Sequence, residues 1–94
     1  DNDVFIFADS NTAEAGVSIT ASNYTNTTTL ATYLAASIAE TNGEEYAVIL
    51  NDLAGAKAYV YDVNAAGTIV AANIDLIGII ETTSAITGTE VLIA

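Results

Sequence analysis

An α+β domain, built on a mostly antiparallel β-sheet of about six short strands and covered by one amphipathic helix, is the fold this sequence predicts. Three observations carry that prediction. Lys57 to Ile80 holds two strand-like apolar runs around a polar turn. Val4 to Ala8 is apolar without interruption. Between Leu30 and Thr41, apolar residues recur at helical spacing. A chain of 94 residues fits a single domain, 1–94, with a modest core in which alanine supplies much of the apolar count.

Asp1 to Ser10 reads as the first strand. Val4, Phe5, Ile6, Phe7 and Ala8 are continuously apolar, as in a strand buried on both faces, and Asp9, Ser10 and Asn11 end it. Val17, Ile19 and Ala21 alternate with Ser18 and Thr20, which predicts a half-buried strand after Gly16. Asn23 to Thr29 is a polar loop; its two Asn-x-Thr triplets are what an Asn/Thr-rich loop produces by chance. Leu30 to Thr41 is the helix. Leu30, Tyr33, Leu34, Ser37, Ile38 and Thr41 share one face, Thr28 or Thr29 serves as the cap, and Asn42-Gly43 supplies a left-handed stop.

Tyr46 to Leu50 alternates as a strand, and Asn51, Asp52 and Gly55 turn the chain. Ala58, Tyr59, Val60, Tyr61 and Val63 form the next strand, and Ile74, Leu76, Ile77, Ile79 and Ile80 resume after the polar turn. This hairpin or arch is too apolar to stand alone, so the rest of the chain must cover it. Val91 to Ala94 is a last short strand.

Charge narrows the partners. Twelve carboxylates face one cation, Lys57, for a net charge of −11. Contact with a phosphate backbone or an anionic membrane surface is repulsive, which argues against nucleic acid and against membrane insertion. Such a chain suits a salty, calcium-containing exterior that screens self-repulsion; solubility alone is the other reading of the same charge. No apolar run is long enough to span a bilayer. The chain begins at Asp1 without Met or a cleavable signal and so reads as a processed product or an excised piece. Cys is absent, which removes disulfides and thiolate metal sites.

The chemistry-bearing residues are few. With no His or Cys, and Lys57 the only amine side chain, nucleophilic catalysis has almost no parts, so no enzyme activity is expected. The best ligand candidate is a calcium-type loop beginning at Asp62. Asp62, Asn64 and the Thr68 carbonyl occupy its first, third and seventh places, with Gly67 at the sixth. Ala66 stands at the fifth place and Asn73 at the twelfth, where a carboxylate is wanted, and Asp75 is the substitute. A plain strand-connecting turn explains the same residues through turn geometry. The strand Val4, Phe5, Ile6 and Phe7 is a candidate for self-assembly, because a terminal strand normally falls at a sheet edge where it can pair with another chain. The other arrangement has it fill the middle of its own sheet.

Several stretches resemble repeats-in-toxin (RTX) proteins secreted by the type I route. Asn2-Asp3-Val4-Phe5-Ile6-Phe7 resembles the strand that closes their glycine-aspartate calcium repeats. The helix Leu30 to Glu40, Tyr59-Val60-Tyr61-Asp62, the turn Asn64 to Gly67 and Ile74-Asp75-Leu76-Ile77-Gly78-Ile79 look like the C-terminal domain that follows those repeats. The ending, Glu90, Val91, Leu92, Ile93 and Ala94, resembles their uncleaved secretion signal. The nonapeptide array itself is absent. The resemblance implies export by type I secretion machinery and a place on surface-layer, adhesin or matrix proteins. The expectation is therefore a secreted, non-enzymatic bacterial structural protein of a surface layer, matrix or filament, acting through self-association. A type I secretion module and a calcium-dependent adhesin module are the alternatives.

Overall fold

The computed structural model describes residues 4–12, 16–38, 44–65, 69–86 and 91–93. Five strands form one sheet: β1 (Val4–Phe7), β2 (Glu44–Asp52), β3 (Lys57–Ala65), β4 (Ile74–Glu81) and β5 (Val91–Ile93), with one α-helix, α1 (Thr27–Ser37), between β1 and β2. The strand order across the sheet is β4-β3-β2-β1-β5. β2, β3 and β4 form an antiparallel meander. β1 runs parallel to both β2 and β5.

This corrects the expected fold in two respects. Among the described residues the sheet has five strands rather than about six, and it is mixed rather than mostly antiparallel. The parallel pairing follows from the position of α1. A helix between two adjacent strands carries the chain back to the starting end of the sheet, so the second strand runs parallel to the first. The missing strand is Val17 to Ala21. Val17 makes an isolated bridge, and the chain then enters a 3₁₀ turn, Ala21–Thr25. Ile19 is fully buried there as a single plug, and its amide donates to the Ser10 carbonyl at 3.1 Å. Alternating polarity over so short a segment marked one buried side chain, not a ladder.

The helix starts earlier than expected, and its cap is Asn26 rather than Thr28 or Thr29: the Asn26 side chain accepts from the Thr29 amide at 3.2 Å. Ile38 is extended and ends the helix, while its amide still bonds the Leu34 carbonyl at 2.8 Å. Residues 39–43, including the expected Asn42-Gly43 stop, lie outside the described residues. Leu30, Tyr33 and Leu34 point into the core, where they meet Phe7, Val48, Leu50, Tyr61 and Val63. The Phe7 and Tyr33 rings lie 5.3 Å apart in a tilted pair. One face of the sheet thus carries the core. The same parity places Val4, Ile6, Ala47, Ile49 and Val60 on the other face.

Polar groups close one end of the core. The Ser10 hydroxyl donates to the Asn51 carbonyl at 2.8 Å and sits 2.6 Å from the Tyr24 hydroxyl. Asn11 Nδ2 donates among Ile19 O at 2.9 Å, Asp52 Oδ1 at 3.1 Å and Tyr24 Oη at 3.2 Å. Asn51 Nδ2 reaches the carbonyls of Phe7 and Ile86, both at 2.8 Å, and Asn51 Oδ1 accepts from the Ile86 amide at 2.7 Å. One buried amide therefore ties β1, β2 and the segment after β4 together. Tyr24 stacks on Tyr59 with ring centroids 4.1 Å apart, and the Tyr61 hydroxyl donates to the Tyr24 carbonyl at 2.7 Å. Burial pushes the Tyr24 and Tyr61 phenols well above the ordinary tyrosine range.

Candidate functional site

Surface chemistry concentrates on β4 and its neighbours. β4 is the edge strand on one side of the sheet, and among the described residues no strand pairs with its outer side. Ile74 is buried against α1's side of the sheet, but the strand past it is open to solvent: Ile77 is 64% exposed, Ile79 50% and Ile80 46%. From Leu76 to Ile80 the strand carries no charge. An exposed apolar edge is what soluble proteins normally avoid, because its free backbone groups template pairing with another strand.

The register against β3 explains the geometry. Lys57, Ala58, Tyr59 and Val60 pair with Glu81, Ile80, Ile79 and Gly78; Tyr61, Asp62 and Val63 then pair with Leu76, Asp75 and Ile74. Ile77 is the extra residue, a β-bulge that shifts the pleat between the two halves. The side chain of Ile79 therefore lies beside Tyr59 on the core face, and that of Ile80 lies beside Ala58 on the outer face. A Cβ built on Gly78 meets nothing within 4 Å, so the space over the middle of the edge is empty.

Charges bracket this apolar segment. At one end, Lys57 on β3 lies between its register partners Asp52 on β2 and Glu81 on β4. At the other end, Asp62 on β3 is paired with Asp75 on β4, two like charges directly opposite. Glu45 on β2 shares a hydrogen bond with Asp62, which together with the Asp62 charge holds the Glu45 carboxyl above the usual glutamate range.

The calcium-type residues are only partly brought together. Asp62 and Asp75 are register partners, Asn64 pairs with Glu45, and Asn73 ends the 3₁₀ turn that precedes β4. Thr68, with Gly67, lies outside the described residues. Asp62 and Asn64 belong to the extended strand β3 instead of a tight loop. An extended strand does not curl its backbone and successive side chains round one ion as a calcium loop does. Among the described residues no group of three or more carboxylates, His or Cys is placed to hold a metal ion.

The strand Val4, Phe5, Ile6 and Phe7 is β1, flanked on both sides within its own chain by β2 and β5. The two edge strands are β4 and β5, so of the chain's terminal strands the first, β1, is interior and the last, β5, lies at an edge. Of the tail residues, Val91, Leu92 and Ile93 form β5, whose backbone pairs with Phe5, Ile6 and Phe7, whereas Glu90 and Ala94 lie outside the described residues. A cavity of about 40 Å³ lies among Asn51, Asp52, Lys57, Thr82 and Ser84, room for little more than a water molecule. No helix among the described residues is long and apolar enough to cross a membrane.

Comparison with protein-family models, with curated proteins and with solved structures returned no match.

Proposed function

We propose that this chain is a non-enzymatic structural domain of an extracellular bacterial assembly, exported and working by self-association. The observation that carries the reading is β4: an edge strand whose exposed, uncharged stretch Leu76 to Ile80 stands out on a chain with a net charge of −11. Its exposed isoleucines and leucine present apolar surface on the order of a few hundred Å², the size at which a patch on a monomer is usually an interaction site. The high negative charge keeps copies apart in dilute, salt-poor solution and lets them approach where salt screens it, which is the behaviour an extracellular assembly needs. Export by a type I route is supported by the RTX-like stretches Asn2 to Phe7 and Glu90 to Ala94.

The test is the mass of the purified chain by light scattering, with electron micrographs of the same samples, at low salt, at high sodium chloride and with calcium at matched ionic strength. Association that rises with screening supports the reading. A chain that stays monomeric in every condition overturns it. An additional, saturable response to calcium over sodium adds a specific ion to the assembly.

A further inference from the structure

We propose that the occupant of the open β4 edge is β4 of a second copy, paired antiparallel about Ile79 so that two sheets become one. The proposal rests on the assembly reading above and names its first contact.

Two features of β4 set the register of such a pair, and a third, the fit of Ile80 over Gly78, favours a second copy as the partner. The first is the bulge. A bulge blunts a sheet edge because the strand bends and its ladder is interrupted. The extra residue is Ile77, so the regular part of the edge that remains is Gly78 to Glu81, opposite Val60 to Lys57 of its own sheet. A partner strand must engage that half.

The second is charge. A two-fold pairing centred on Gly78 would set Asp75 of one copy opposite Glu81 of the other, a like-charge pair across the ladder. It would also mismatch the two faces, since Asp75 and Glu81 lie in opposite phases on either side of the bulge. Centring on Ile79 removes the like-charge pair and keeps the regular residues Gly78 to Ile80 in phase about the axis. Ile79 then meets Ile79 of the second copy, Gly78 meets Ile80, and Ile77 meets Glu81. The carboxylate nearest the axis is thus Glu81, and its register neighbour on β3 is Lys57, the chain's one Lys or Arg. The cation sits where two acidic copies approach most closely.

The third is shape. The empty space over Gly78 accepts the Ile80 side chain of the second copy, large against small, and the reverse contact forms by symmetry. Ile77, Ile79 and Ile80 of both copies leave water together. The contact is isologous, so it closes at two copies, and larger assemblies grow from this pair through other surfaces.

The chain has no Cys, so Ile79→Cys creates a unique thiol. Directly opposed residues in an antiparallel pair have Cα atoms roughly 4.5–5.5 Å apart, within the reach of a disulfide. The expected result is rapid oxidation of Ile79→Cys to a covalent dimer, while Val70→Cys, similarly exposed at 46% but off the strand, stays monomeric. Ile79→Lys should retain its cooperative unfolding transition and lose self-association by light scattering. If wild type associates but Ile79→Cys cross-links no faster than Val70→Cys, or folded Ile79→Lys associates like wild type, the β4 contact is wrong and the assembly reading stands. A wild-type chain that is monomeric throughout removes the assembly reading itself.

Discussion

Glu45 shows how a single carboxylate carries the cost of this chain's charge. It is exposed on β2, yet its hydrogen bond with Asp62, and the charge of Asp62, raise its affinity for a proton in the folded state. A folded-state value above the unfolded one gives stability that is fully present below the ordinary glutamate range. That stability is lost as pH rises through the raised value. The melting temperature should therefore climb on moving from neutral to mildly acidic pH. Glu45→Gln should raise the melting temperature at neutral pH and flatten that climb; a variant that melts at or below wild type at pH 7 would contradict the assignment. Asp62 and Asp75 were legible in the sequence as neighbours around one turn. Glu45 was not, because it comes from another strand and only the β2–β3 register brings it to Asp62. Tyr24 escaped notice for a related reason. Its neighbours are Asn and Thr, so the local pattern read as loop, while its burial comes from Ser10, Asn11, Ile19 and Tyr59 elsewhere in the chain.

At the scale of elements, α1 and the β2–β3–β4 meander were readable because each has its own periodicity. Leu30, Tyr33 and Leu34 fall on the buried face that helical spacing picks out. Tyr46, Val48 and Leu50 alternate with less buried neighbours along β2, as a strand with one core face must. Leu34 is fully buried, so Leu34→Ala should cost about 2–5 kcal/mol in chemical denaturation. An unfolding midpoint unchanged from wild type would mean that α1 does not supply the core face. Boundaries and partners were harder to read. The cap moved to Asn26 because a 3₁₀ turn delivers the chain to the helix, and that turn is held by tertiary contacts of Tyr24. The direction of β1 was open to inference from element order alone, since strand, helix, strand implies a parallel pair. Its place between β2 and β5 was not, because β5 arrives from the far end of the sequence.

Across the whole molecule, one arrangement underlies the proposed self-association. The sheet buries one face under α1, ties its closed end with Asn51, and leaves β4 at one edge with Ile77, Ile79 and Ile80 exposed. On the proposed reading, net negative charge opposes contact between copies, and salt that screens it lets the uncharged stretch Leu76 to Ile80 pair. Which strand would be left open could not be read in advance, since edge position follows from the order of all the strands together. The most direct measurement is amide hydrogen exchange of β4 as a function of protein concentration at fixed, moderate salt. The account predicts that the alternate amides between Gly78 and Glu81 that face away from β3 exchange readily in dilute samples and become protected as concentration rises, while β2 amides keep the same protection throughout. Exchange along β4 that does not change with concentration in samples that are associating would contradict it.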